Sequence, residues 1–97
     1  KYTASQKYTT DANSAALVKY LCKKEKIKCQ VFFNRSDMLG GSTLGNILTG
    51  QVSIKAADIG LPQLSMHSTY ETAGCKDLDD MITLMGSFYE LGKEVQI

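Results

Sequence analysis

The sequence predicts an α/β fold in which parallel strands are joined by right-handed crossover helices. Three segments have the apolar spacing of helices, and two short segments between them have the pattern of strands. These elements alternate in the order helix, strand, helix, strand, helix, with no internal repeat or low-complexity linker. At 97 residues, the chain has the length of one small domain or of a part of a larger one.

The first predicted helix covers residues 12–26. Favourable N-cap residues, Thr9, Thr10 and Asp11, precede a run of helix-forming residues. Helical spacing predicts that one face is buried, formed by Ala16, Leu17, Tyr20 and Leu21. The helix is expected to end at residues 27–28. Residues 29–34 then predict a strand covered on both faces, because their apolar residues are consecutive.

A glycine-containing loop, residues 35–42, separates this strand from a second helix predicted at residues 43–51. Ser42 or Thr43 is expected to cap that helix, and Leu44, Ile47 and Leu48 are expected to face inward. The free amides at a helix start favour an anionic group, so a phosphate or carboxylate is a candidate ligand there. This loop resembles a phosphate cradle, but it lacks the lysine of the P-loop and the spacing of the dinucleotide fingerprint.

The second strand is predicted at residues 55–60, and a third helix is predicted to begin at Lys76 or Asp77. This last helix has the clearest amphipathic pattern of the chain, with an inward stripe of Leu78, Met81, Ile82, Met85, Phe88 and Tyr89. Gly92 is expected to mark its C-terminal cap. Two strands alone would leave both sheet edges unprotected, so the chain is expected to belong to a larger sheet.

Composition narrows the classes of partner and compartment. The net charge of +1 gives no bulk attraction to nucleic acids or acidic membranes, and no apolar run is long enough to span a bilayer. The three cysteines, Cys22, Cys29 and Cys75, form no C-x-x-C pair. A disulfide framework or structural zinc site is therefore not expected, and free thiols predict a reducing, cytoplasmic compartment.

His67 is the only histidine, and it lies in a loop rich in small polar residues that follows the second predicted strand. A histidine at the exit of a strand can be a metal ligand or a proton carrier, and it can equally be a surface or structurally satisfied side chain. With no second histidine, a Ser-His or Cys-His pair has to be built around this residue. The carboxylates are scattered, and Asp77, Asp79 and Asp80 suit the first turn of a helix.

Two stretches give the sequence a specific resemblance. They are Asn-Arg-Ser-Asp-Met-Leu-Gly-Gly-Ser-Thr-Leu-Gly-Asn-Ile at residues 34–47 and Asp-Ile-Gly-Leu-Pro-Gln-Leu-Ser-Met-His-Ser-Thr-Tyr-Glu at residues 58–71. Both resemble the C-terminal part of the aspartyl aminopeptidase and aminopeptidase I family, a family of dizinc exopeptidases. The resemblance covers nearly the whole chain, and it implies that residues 1–97 are the C-terminal part of a catalytic domain with a three-layer αβα zinc-peptidase fold.

The resemblance also implies a site. His67 would ligate one of two zinc ions, while the general base and the other ligands would lie upstream of this chain. Glu71 is a candidate to orient the His67 loop or a neighbouring basic group. The substrate pocket would be lined by Gly40, Gly41, Ser42, Thr43 and Met66. The implied enzyme removes N-terminal residues from peptides and forms large homo-oligomers, often dodecamers.

Two other hypotheses stay open from the residues alone. The chain can be a small α/β binding module that holds a phosphate or carboxylate at the start of the second helix, at residues 40–43. It can also be a packing or oligomerisation segment with no site of its own.

Overall fold

A computed structural model describes Tyr2, residues 8–33 and residues 44–92. Three helices account for its regular structure: α1 (Ala12–Lys24), α2 (Leu44–Gln51) and α3 (Cys75–Glu90). No helix in these ranges is both long and apolar enough to cross a membrane.

The predicted α/β fold, a partial three-layer αβα arrangement with parallel strands, is wrong for the described residues, whose regular structure is helical and which contain no sheet. Among the described residues, the one bridge made by residues 29–33 is an isolated parallel bridge between Phe33 and Tyr2, whose rings are stacked. Residues 55–60 form no bridge at all. A strand requires a ladder of neighbours, and these extended segments have none within the described chain.

Helix α1 begins where the sequence predicts. Asp11 is its N-cap, and its carboxylate accepts a hydrogen bond from the Ser14 backbone N–H at 2.8 Å. In return, the Ser14 hydroxyl oxygen accepts the Asp11 backbone N–H at 3.0 Å, which completes a capping box. The hydrogen bond from the Ser14 backbone, followed by one from the Ser14 side chain, lowers the pKa of Asp11 below its ordinary value.

The C-terminal end of α1 is a Schellman motif. Lys26 has a left-handed backbone with φ of 57°, and the Ile27 N–H donates to the Cys22 carbonyl at 2.8 Å. This reversal stops the helix at Lys24, two residues before the predicted end, and directs Ile27 back onto the core.

The core lies between α1 and α3. It consists of buried Leu21, Cys22, Leu84 and Leu91, with Leu17, Val18, Ile27, Met81 and Met85 packed against them. Burial, followed by the neighbouring Cys29 thiol, raises the pKa of Cys22 to about 11. The thiol in this core is therefore protonated at neutral pH.

Other residues predicted to face inward are exposed. On α2, Leu44 is 85% exposed, and Ile47 and Leu48 are also exposed. On α3 the predicted stripe is divided: Met81 and Met85 reach the core, whereas Leu78, Ile82, Phe88 and Tyr89 are exposed. The reason is that α1, the helix packed against α3 in the described chain, covers only one side of it.

Candidate functional site

The segment that carries His67 is a closed loop, residues 64–72, which we name the His67 loop. Leu64 and Thr72 form an isolated antiparallel bridge at its base. The Leu64 N–H donates to the Thr72 carbonyl at 2.8 Å, and the Thr72 N–H donates to the Leu64 carbonyl at 3.0 Å. This pair of backbone hydrogen bonds fixes the two ends of the loop against each other, three residues before α3 begins.

A tight turn lies inside the loop. The Ser68 N–H donates to the Ser65 carbonyl at 3.1 Å, which makes His67 the third residue of a four-residue turn. His67 has φ of 69°, and Ser65 has φ of 55°. A left-handed backbone costs a residue with a side chain about 1–2 kcal/mol, so His67 keeps this conformation only if other contacts hold it.

Glu71 makes one such contact. Its carboxylate Oε1 accepts a hydrogen bond from the backbone N–H of His67. A second side chain also accepts a backbone hydrogen bond within the loop: the Ser68 hydroxyl oxygen accepts the Tyr70 N–H at 3.1 Å. The loop is thus held by hydrogen bonds from its own backbone and side chains.

The imidazole of His67 is exposed to solvent, as are all residues from 62 to 74. This exposure excludes the interpretation of His67 as a histidine satisfied inside an apolar core. The neighbouring Met66 is 60% exposed, so the loop also presents a flexible apolar side chain beside the imidazole. Gly40, Gly41, Ser42 and Thr43, the predicted pocket residues, lie outside the described residues.

Zinc needs three or four ligands from protein, and His67 is one candidate ligand. Nowhere in the described chain do three His, Cys, Asp or Glu side chains group as a metal site. On α3, the carboxylate of Asp80 is paired with Lys76 at 2.8 Å. This hydrogen bond and the charge attraction raise the pKa of Lys76. The His67 imidazole therefore fits zinc as a single ligand that other parts of a protein must complete.

One structural contact, on the segment that precedes the His67 loop, was missed by reasoning from the sequence. The Asp58 carboxylate Oδ2 accepts the Thr9 backbone N–H at 2.6 Å and the Thr9 hydroxyl at 3.0 Å. The Asp58 backbone N–H in turn donates to the Thr10 hydroxyl at 2.8 Å. We call this set the Asp58 clasp. It connects the start of α1 to the segment that leads into the His67 loop, and its partners are 48 and 49 residues apart, so local sequence carries no signal for it.

A separate groove of about 300 Å³ lies between α1, α3 and residues 55–59. Its lining is mainly apolar, and it includes Leu17, Leu84, Met85 and Phe88. Its polar side chains are Ser14, Lys55 and Tyr89, with no histidine or carboxylate among them, so the His67 loop is the better candidate for a metal site.

Comparison with known proteins adds an independent finding. The model of the aminopeptidase I zinc metalloprotease family (M18) matches residues 1–89. The chain is 44% identical over 91 residues to a probable M18 family aminopeptidase 2 of Clostridium novyi, with 94% of this chain covered. It is 40% identical over 89 residues to the protein of the same name from Pseudomonas paraeruginosa, with 92% of this chain covered.

The matched region is a small part of each relative. The chain spans about a fifth of their length, 21% in both cases. No solved structure matches the chain.

Proposed function

Because the chain belongs to the aminopeptidase I zinc metalloprotease family, we propose that it forms part of a zinc-dependent aminopeptidase and supplies one zinc ligand, His67. The observation that carries the proposal is the exposed imidazole on a loop whose backbone is fixed on both sides of it. A left-handed backbone at a residue with a side chain costs free energy, and such residues cluster at functional sites, which supports a ligand role for His67.

The proposed role of this chain is binding and orientation. The enzyme would hold two zinc ions, and His67 would ligate one of them through a ring nitrogen. Bound zinc supplies a water of lowered pKa and polarises the scissile carbonyl. The other ligands and the general base would come from the remaining four-fifths of a polypeptide of the relatives' length, which we call the full-length enzyme.

The proposed substrate is a peptide with a free N-terminus. Met66 would contact it beside the metal, and Gly40, Gly41, Ser42 and Thr43 would line the pocket. For Met66, support comes from its exposure next to His67. For the four loop residues, support comes from the resemblance of the sequence alone. We also propose that the enzyme is cytoplasmic and forms a homo-oligomer, as the same resemblance implies.

The test is replacement of His67 in the full-length enzyme. For His67→Ala we expect the loss of about one zinc equivalent and a fall in kcat/KM of more than about 100-fold, which exceeds the effect of losing an outer-shell contact. Zinc is measured by elemental analysis after dialysis. Activity is measured on peptides with acidic, neutral and basic N-terminal residues, each with an N-acetylated counterpart that an aminopeptidase leaves intact.

The matched control is Thr69→Ala. Thr69 lies in the same exposed loop, and its side chain makes no hydrogen bond within the described part of the chain. The control should keep both zinc ions and full activity. If His67→Ala keeps the zinc content and activity of the control, His67 is not a ligand and the proposal is wrong.

A further inference from the structure

We propose that Glu71 is a positioning residue for His67: by accepting the His67 backbone N–H, its carboxylate holds the imidazole in one direction. This inference rests on the proposed function, because it concerns how the proposed zinc ligand is presented. In this inference, the group that Glu71 orients is the backbone of His67, the proposed ligand residue. The resemblance in sequence left open whether Glu71 orients the loop or a basic neighbour.

The direction of the His67 side chain depends on the backbone conformation of His67. A left-handed backbone at residue 67 turns the Cα–Cβ bond away from the direction it has in an extended or right-handed conformation. If residue 67 relaxed to negative φ, the imidazole would leave the loop elsewhere. The observed φ of 69° is therefore part of what aims the ring.

The left-handed conformation of His67 depends on a hydrogen bond donated by its own amide. The Leu64–Thr72 bridge closes the loop, and the bond from Ser68 to Ser65 closes its turn, but neither uses the His67 amide. Within the described chain, the one hydrogen bond found for that amide is the bond to Glu71. Since the acceptor is a carboxylate, the bond is charge-assisted and stronger than a bond to a neutral oxygen.

The Glu71 side chain is long enough to reach the His67 amide. Glu71 follows His67 by four residues, and the chain between them turns back toward the base of the loop at Thr72. The carboxylate has to reach back across this turn. Glutamine keeps the same reach and an acceptor oxygen, whereas alanine removes both.

The experiment compares Glu71→Ala, Glu71→Gln and the Thr69→Ala control in the full-length enzyme. The zinc dissociation constant is measured by chelator competition, and hydrogen exchange at the His67 amide is measured in the metal-free enzyme. For Glu71→Ala we expect zinc binding about 10- to 100-fold weaker and faster amide exchange at His67. Glu71→Gln should restore most of both, within about threefold of wild type.

The results separate this inference from the proposed function. If Glu71→Ala keeps wild-type zinc affinity and amide exchange while His67→Ala loses zinc, Glu71 is not a positioning residue and the proposed function stands. If Glu71→Gln is as impaired as Glu71→Ala, an acceptor oxygen at this position does not hold His67, which also overturns the inference. If His67→Ala keeps its zinc, the proposed function fails, and amide exchange alone then decides whether Glu71 fixes the loop.

Discussion

The core between α1 and α3 and the His67 loop differ in what holds them. In the core, Leu21 is 2% exposed and Leu84 is 7% exposed, and apolar contacts surround them. In the His67 loop every residue is exposed, and the conformation depends on the Leu64–Thr72 bridge, the Ser65–Ser68 turn and the carboxylate of Glu71.

The core has to hold two helices together, whereas the His67 loop has to orient one side chain. Apolar burial is strong but non-directional, so it keeps helices together without fixing the orientation of any one side chain. Hydrogen bonds contribute less net stability each, but their geometry is narrow, so a few of them can aim one imidazole. The comparison therefore predicts that core changes alter stability and loop changes alter zinc affinity.

The largest expected effect is in the core. Leu21→Ala removes the most deeply buried side chain of the described chain and should destabilise the full-length enzyme by about 2–5 kcal/mol, because a cavity adds to the lost transfer free energy. Urea unfolding measures the loss. Zinc affinity of the fraction that remains folded should stay within about twofold, since the hydrogen bonds of the His67 loop are unchanged.

Leu44→Ala on α2 is the matched control for this deletion. Leu44 is 85% exposed, so the same substitution should cost less than about 0.5 kcal/mol. If Leu44→Ala lowers the free energy of unfolding as much as Leu21→Ala, burial within this chain does not define the core of the enzyme. The contrast drawn between the core and the His67 loop would then be wrong.

The second effect is at the Asp58 clasp, which joins the two regions. Asp58→Ala leaves the half-buried Thr9 N–H without its acceptor and should cost about 1–2 kcal/mol in urea unfolding. Asp58→Asn keeps one acceptor oxygen and the backbone bond to Thr10, so a smaller loss is expected. Equal losses for the two variants would show that the accepted hydrogen bonds are not the source of the stability.

Sequence reasoning succeeded where the signal is local. Asp11 follows Thr9 and Thr10 just before a run of helix formers, and the helix begins at Ala12. Gly92, expected at the end of α3, has φ of 55° one residue beyond the C-cap Leu91. The resemblance carried by residues 34–47 and 58–71 is confirmed by the family match.

Sequence reasoning failed where the outcome depends on distant partners. Apolar spacing identified α3 as amphipathic, but its apolar face is wider than the part that α1 covers, so Ile82 was expected inside and Leu84 was not. Residues 29–33 have the composition of a strand, yet composition does not supply the neighbouring strand that a ladder needs. The spacing of four between His67 and Glu71 was visible, but the hydrogen bond to the His67 backbone was not.

The smallest expected effect concerns pH and the one buried thiol. The pKa of Cys22 is raised to about 11, so the folded state keeps a proton that the unfolded state loses near the ordinary value of 9.0. The contribution of Cys22 to the free energy of unfolding is therefore complete below pH 9 and falls between pH 9 and 11, by roughly 1 kcal/mol at pH 10.

Urea unfolding from pH 8 to 10.5 should show this slope in the full-length enzyme. Cys22→Ala, less stable at every pH, should lack this part of the slope, and Cys75→Ala, whose thiol is exposed, should keep it. A slope unchanged in Cys22→Ala would show that alkaline pH does not act on the core through this thiol.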